Sequence, residues 1–128
     1  MSKVTPTPSE TSVLQILWDR GSATAPEIHE EICKTGKVGY TTVLKRIQRM
    51  EDKRLVNRAS KKGRAHCYKA VRKPETTRHS LVTRLIDSAF DSSPNALIQH
   101  AIQRHKLSSE DIADLRGLLD RIENKDNA

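Results

Sequence analysis

Apolar positions in this chain recur mostly at helical spacing. The stretch from Gly39 to Arg54, GYTTVLKRIQRMEDKR, shows the pattern best. Read as a helix from Thr41, it lines up Val43, Ile47 and Met50 on one stripe, with Leu44 beside it. That is the i, i+4, i+7 spacing of a face packed on a core. The remaining sides carry Thr41, Thr42, Lys45, Arg46, Gln48, Arg49 and Lys53, donors suited to phosphates and base edges. A plain solvated helix with a basic surface would share that composition.

Two helices are expected before it. Thr7-Pro8-Ser9-Glu10 is a start signal: Thr7 caps, Pro8 suits the first helical position, and Glu10 completes a capping box. Val13, Leu14, Ile16, Leu17 and Trp18 follow, with Trp18 read as a core anchor, until Gly21 stops the helix. Thr24-Ala25-Pro26-Glu27 repeats the signal, with Ile28 and Ile32 inside, Glu27, Glu30, Glu31 and His29 outside, and Gly36 at the end. Two short helices, a turn and a donor-rich helix give helix-turn-helix order.

The period then changes. Leu55 to Ala59 and Ala65 to Val71 read as two strands around the loop Ser60-Lys61-Lys62-Gly63-Arg64. Gly63 supplies the positive φ that such a loop requires. Lys61, Lys62 and Arg64 repel one another at the tip, which points to a polyanion contact as an alternative to a solvated turn. Pro74 marks a boundary. Beyond it, helices over 75–90, 95–106 and from a cap at Ser108 onward carry apolar stripes, and the tail from Asn124 is expected to fray. The stripes hold Leu81, Leu85, Ile86, Phe90, Leu97, Ile98, Ile112, Leu115, Leu119 and Ile122. So short a segment makes a poor core alone. A second copy of the chain is the economical cover, and packing onto the first 73 residues is the alternative. The expected architecture is mainly α with a small β-hairpin wing. A winged helix-turn-helix domain (1–73) would precede a three-helix dimerisation domain (74–128).

Charge sharpens the picture. The net +7 is uneven: residues 37–72 hold twelve Lys/Arg against two Asp/Glu, a balance of +10, while the flanks balance at −2 and −1. One basic block between near-neutral flanks is the footprint of a polyanion partner, nucleic acid or an anionic membrane surface. The block lacks the bulky aromatic face of a membrane-surface helix. Only four residues are aromatic (Trp18, Tyr40, Tyr68, Phe90), so the core must be aliphatic. The chain shows neither an apolar run long enough to span a membrane nor the apolar core of a secretory signal in MSKVTPTPSE. The cytoplasm is the expected location, with Cys33 and Cys67 reduced there.

Catalytic patterns are missing. There is no dinucleotide or P-loop glycine motif, no nucleophile elbow and no HExxH. His29, His66, His79, His100 and His105 are scattered, and adjacent His66 and Cys67 would face opposite sides of a strand. No enzyme activity, cofactor, metal or small-molecule ligand is expected.

The chain resembles the BlaI/MecI penicillinase-repressor family of bacterial transcriptional regulators. The matching residues are Glu10 with Val13-Leu14-x-Ile16-Leu17-Trp18, Thr24-x-x-Glu27-Ile28, Tyr40-Thr41-Thr42-Val43, the run from Arg46 to Val56, the wing ending in Tyr68, and Leu107-Ser108-x-x-Asp111-Ile112-x-x-Leu115. The similarity runs from about residue 7 to 123. It implies a homodimer repressing its own operon from an inverted-repeat operator. It also implies a membrane sensor with a metalloprotease domain that triggers cleavage of the repressor. By analogy Thr41, Thr42 and Arg46 meet DNA from the third helix, Lys45 and Arg49 are further candidates, and Lys61, Lys62 and Arg64 serve the wing. The chain departs from the pattern twice. The place of the family's Asn-Phe cleavage bond is taken by His100-Ala101, which leaves cleavage control and any link to β-lactam resistance open. The paired C-terminal cysteines of the copper-responsive branch are absent, so copper sensing is not expected. The competing reading is a non-catalytic winged-helix module that docks an acidic protein.

Overall fold

Both expected capping boxes form. In a computed structural model of the chain, which describes residues 5–126, Thr7 accepts from the Glu10 N–H while the Glu10 carboxylate accepts from the Thr7 N–H. Helix α1 (Pro8–Arg20) starts there and ends at Gly21, whose φ of 84° suits glycine. Thr24 and Glu27 repeat the box for α2 (Ala25–Cys33). That helix ends at Cys33, before the Gly36 expected to stop it, and Lys34 is its C-cap. Helix α3 (Tyr40–Asp52) follows.

Helix α3 closes without the expected kind of residue. The Leu55 N–H bonds to the Met50 carbonyl (2.8 Å) and the Arg54 N–H to the Glu51 carbonyl (3.0 Å). Those two bonds make a Schellman motif, which places Arg54 where glycine usually stands. Its φ of 62° is left-handed and strained for a side chain with a Cβ.

Three strands follow from pairing. Strand β1 (Ala23–Thr24) is too short for the alternation that marks a strand, and it was not foreseen. Strands β2 (Val56–Lys62) and β3 (Ala65–Ala70) form the hairpin, and the antiparallel order is β1-β3-β2. Lys61 and Lys62 were expected in the hairpin loop. They lie instead on β2, where Lys61 pairs with His66 and Lys62 with Ala65. The turn is thus only Gly63-Arg64, with Gly63 at φ 65°. Arg58 pairs with Tyr68 and Ser60 with Cys67, so Ala59 is a bulge that twists the wing.

The core is aliphatic, as its composition requires. Val13, Leu14, Leu17, Ile28, Val43, Ile47, Met50, Leu55 and Val56 are buried together, with Tyr68 from β3. Trp18 is half-buried against this cluster. Its indole N–H donates to the Arg72 carbonyl (3.1 Å), and the Arg78 guanidinium sits 6.0 Å from its ring centroid. Trp18 thereby joins α1 to the start of α4 (Pro74–Ala89), where Thr77 is buried.

The chain divides into two compact units, Met1–Arg84 and Leu85–Ala128, and the division falls within α4. The second unit holds the end of α4 with α5 (Pro94–Arg104) and α6 (Ser109–Asp126). Helix α6 stays helical past Asn124, where fraying was expected; residues 127 and 128, like 1–4, lie outside the described residues.

Candidate nucleic-acid interface

Helix α3 has three distinct faces. Val43, Ile47 and Met50 are fully buried. Thr41, Lys45 and Gln48 lie on the opposite stripe and are exposed. Between these faces runs the ridge Thr42, Arg46, Arg49 and Lys53. Thr42 and Arg49 are exposed, and Arg46 is half-buried. Lys53 is diverted from that ridge: its Nζ lies 2.9 and 3.2 Å from the two carboxylate oxygens of buried Glu10. Burial pushes the Glu10 carboxyl up, but the Thr7 N–H and Lys53 outweigh it and leave it below its ordinary value.

The approach to α3 is pinned. His29, expected at the surface, is half-buried, with Nε2 2.8 Å from the Val38 carbonyl. A carbonyl only accepts, so Nε2 carries the proton. The Cys33 thiol also reaches that carbonyl (3.4 Å), and Tyr40 packs edge-on against the His29 ring. The N-cap Gly39 offers no side-chain acceptor, which leaves first-turn N–H groups of α3 open to an external acceptor. Tyr40, exposed at the first position of α3, stands beside the candidate set although residue type alone did not single it out.

On the wing, Lys61 and Arg64 are exposed, and neither has an ion pair among the described residues. Lys62 reaches back to Glu27 (3.3 Å), whose carboxylate also receives Arg20 (2.7 Å) and the Thr24 N–H (2.9 Å). The Thr24 hydrogen bonds, with help from Lys62, hold the Glu27 carboxyl down at about 2. Arg58 pairs with Glu51 at 3.0 Å. Thr41, Thr42, Lys45 and Arg49 thus share one open helix front. Lys61 and Arg64 are open on the hairpin, whereas Arg46 is half-buried and Lys62 is paired with Glu27.

The second unit has a different surface. Among its described residues none is buried. Leu85, Ile98, Ile112, Leu119 and Ile122 are exposed, and Ile86, Phe90, Leu97 and Leu115 are half-buried; Leu81, in the first unit, is half-buried too. Asp91 and Ser92 link α4 to α5 with φ of 49° and 60°, and the Ser93 N–H closes the turn on the Phe90 carbonyl (2.8 Å). His100 and Ala101 lie within α5, where the His105 N–H bonds to the Ala101 carbonyl (3.2 Å) and His100 meets Phe90 edge-on. No helix is long and apolar enough to cross a membrane, and no group of three His, Cys, Asp or Glu is placed to hold a metal ion, among the described residues.

A helix-turn-helix with a basic third helix and a paired β-hairpin defines a winged-helix domain. The chain matches the penicillinase repressor family over residues 6–121, and it belongs to that family. No curated protein matches it. Solved structures share the fold at low identity. Escherichia coli MarR (mutant C80S) complexed with operator DNA is 16% identical, with 91% of this chain and 75% of that one covered and a TM-score of 0.51. The hsRosR-SG complex is 10% identical, with 93% of each chain covered and a TM-score of 0.52. The Vibrio cholerae ferric uptake regulator is 18% identical with a TM-score of 0.46, and the chain spans 56% of its length.

Proposed function

We propose that this penicillinase-repressor family member is a homodimeric, sequence-specific repressor that sets α3 in a major groove and its wing against the flanking backbone. The carrying observation is the front of α3. Thr41, Lys45 and Gln48 stand opposite a fully buried stripe, and Lys45 and Arg49 have no ion pair among the described residues. Sequence choice would come from Thr41, Thr42, Lys45, Arg46 and Arg49, with Gln48 added because it shares the open stripe. Lys61, Lys62 and Arg64 would supply salt-dependent phosphate contacts. MarR is seen with operator DNA on the same fold, which supports this placement.

The dimer reading rests on the second unit. Helices with apolar stripes and no buried residue need a partner surface, and a second copy supplies it together with a second half-site. The family's inactivation route, cleavage prompted by a membrane sensor, would fall at His100-Ala101. There α5 must unwind first, because a protease takes an extended chain and this backbone is hydrogen-bonded as helix.

The test is a fluorescence titration of the full-length protein against DNA from upstream of its own gene and a shuffled control, each at two salt concentrations. Preference that survives the higher salt, with two protomers per site, is the expected result. Equal binding that vanishes with salt would refute sequence-specific recognition and favour an acidic protein partner for residues 37–72.

A further inference from the structure

The winged-helix unit contains a cleft of about 660 Å³ beside α3, bordered by α1, α2 and Leu81. That volume falls in the range of small-molecule sites. Ile16, Ile32 and Leu81 give it apolar walls, and Ser12 and Thr35 add hydroxyls. Its two charged lining residues are Glu31 and Arg46. The Glu31 carboxylate is already engaged by Lys34 (2.8 Å) and Arg20 (3.7 Å). Arg46 has no ion pair among the described residues, though it is half-buried. Arg46 is therefore the lining cation without an ion pair among the described residues, and it borders apolar walls. That combination suits a planar carboxylate carried on an apolar body, because the fork of donors matches two carboxylate oxygens.

Arg46 also belongs to the ridge of Thr42 and Arg49, so it stands between the cleft and the open front of α3. We infer that the cleft binds a small organic carboxylate which holds Arg46 and thereby weakens DNA binding. The regulatory half rests on the DNA-binding function proposed above; the binding half does not.

The binding test uses isotope-labelled full-length protein titrated with 2-naphthoate and, separately, with neutral 2-naphthamide, followed by NMR. Saturable naphthoate shifts are expected at Ile16, Ile32, Thr35 and the Arg46 guanidinium. Arg46→Gln should weaken naphthoate at least about tenfold. Ser12→Phe, an exposed position turned into a plug, should abolish binding without changing charge. Equal affinity for naphthamide, full affinity in Arg46→Gln, shifts confined to α5 and α6, or no saturable shift up to about 10 mM would each overturn the site. The regulatory test repeats the DNA titration with naphthoate at saturation, where affinity should fall about tenfold in the wild type and not in Ser12→Phe. Unchanged DNA affinity would overturn the regulatory half. A protein that binds no specific DNA but still takes naphthoate would fail the repressor reading and leave the cleft standing.

Discussion

Lys53 and Glu10 are 43 residues apart, yet the Lys53 Nζ lies within 3.2 Å of both Glu10 oxygens. The pair joins the end of α3 to the start of α1. Removing the lysine leaves a carboxylate that is 4% exposed without a counter-charge, held only by the Thr7 N–H. Lys53→Ala should therefore lower unfolding stability by about 1–2 kcal/mol, the figure allowing for a lysine that is itself partly in water. Urea denaturation beside a DNA titration would separate the roles. A large loss of DNA affinity with unchanged stability would return Lys53 to the interface.

Acid should expose the same network. Glu10 and Glu27 both have folded-state values below the ordinary 4.5, Glu27 at about 2. A depressed carboxyl contributes stability that is complete above the unfolded value and is lost as pH falls through the folded one. Stability should thus decline from about pH 4.5 towards 2. Glu10→Gln and Glu27→Gln should each flatten the slope. A wild-type stability that stays level across that window would contradict both assignments.

Arg54 offers a gain. At φ 62° it carries a side chain where glycine fits without strain. Arg54→Gly should raise stability by about 1 kcal/mol, read as a higher urea midpoint at unchanged slope. A lower midpoint would mean that the arginine side chain stabilises the fold by more than the strain costs.

The helix front and the wing should respond differently to salt. Lys45→Ala should weaken upstream DNA more than shuffled DNA by about 1–3 kcal/mol if it reads a base. Lys61→Ala with Arg64→Ala should weaken both duplexes and flatten the dependence on salt. An unaltered salt slope would remove the wing from the interface.

Leu119 is 62% exposed on α6. Leu119→Asp should turn a dimer into monomers in sedimentation equilibrium. Specific DNA affinity should fall with it, since each half-site would be bound alone. A wild type that sediments as a monomer would reject the dimer.

Local chemistry made much of this fold legible. Thr7 with Glu10, Thr24 with Glu27, Gly21, and the Val43, Ile47, Met50 stripe each act within one or two helical turns, so spacing alone reveals them. The failures involve partners far along the chain or a residue that breaks its type's habit. Strand β1 exists because Ala23 and Thr24 pair with Tyr68 and Cys67. The hairpin absorbed Lys61 and Lys62 because cations tolerate an exposed strand as well as a loop. Arg54 hid a helix stop behind a residue that is not glycine. In the candidate site, the open positions of Thr41, Lys45 and Arg49 were readable from period, whereas the commitments of Lys53 to Glu10 and of Lys62 to Glu27 were not.

Trp18 is the only tryptophan in the chain. Its indole N–H is held by the Arg72 carbonyl and its ring faces Arg78, at the point where the wing's last strand gives way to α4. The molecule thus carries its single indole fluorophore at that joint, with a nearby cation to perturb its emission. Movement of the first turn of α4 against α1 would register as a spectral shift, without any attached dye and without altering the face offered to DNA.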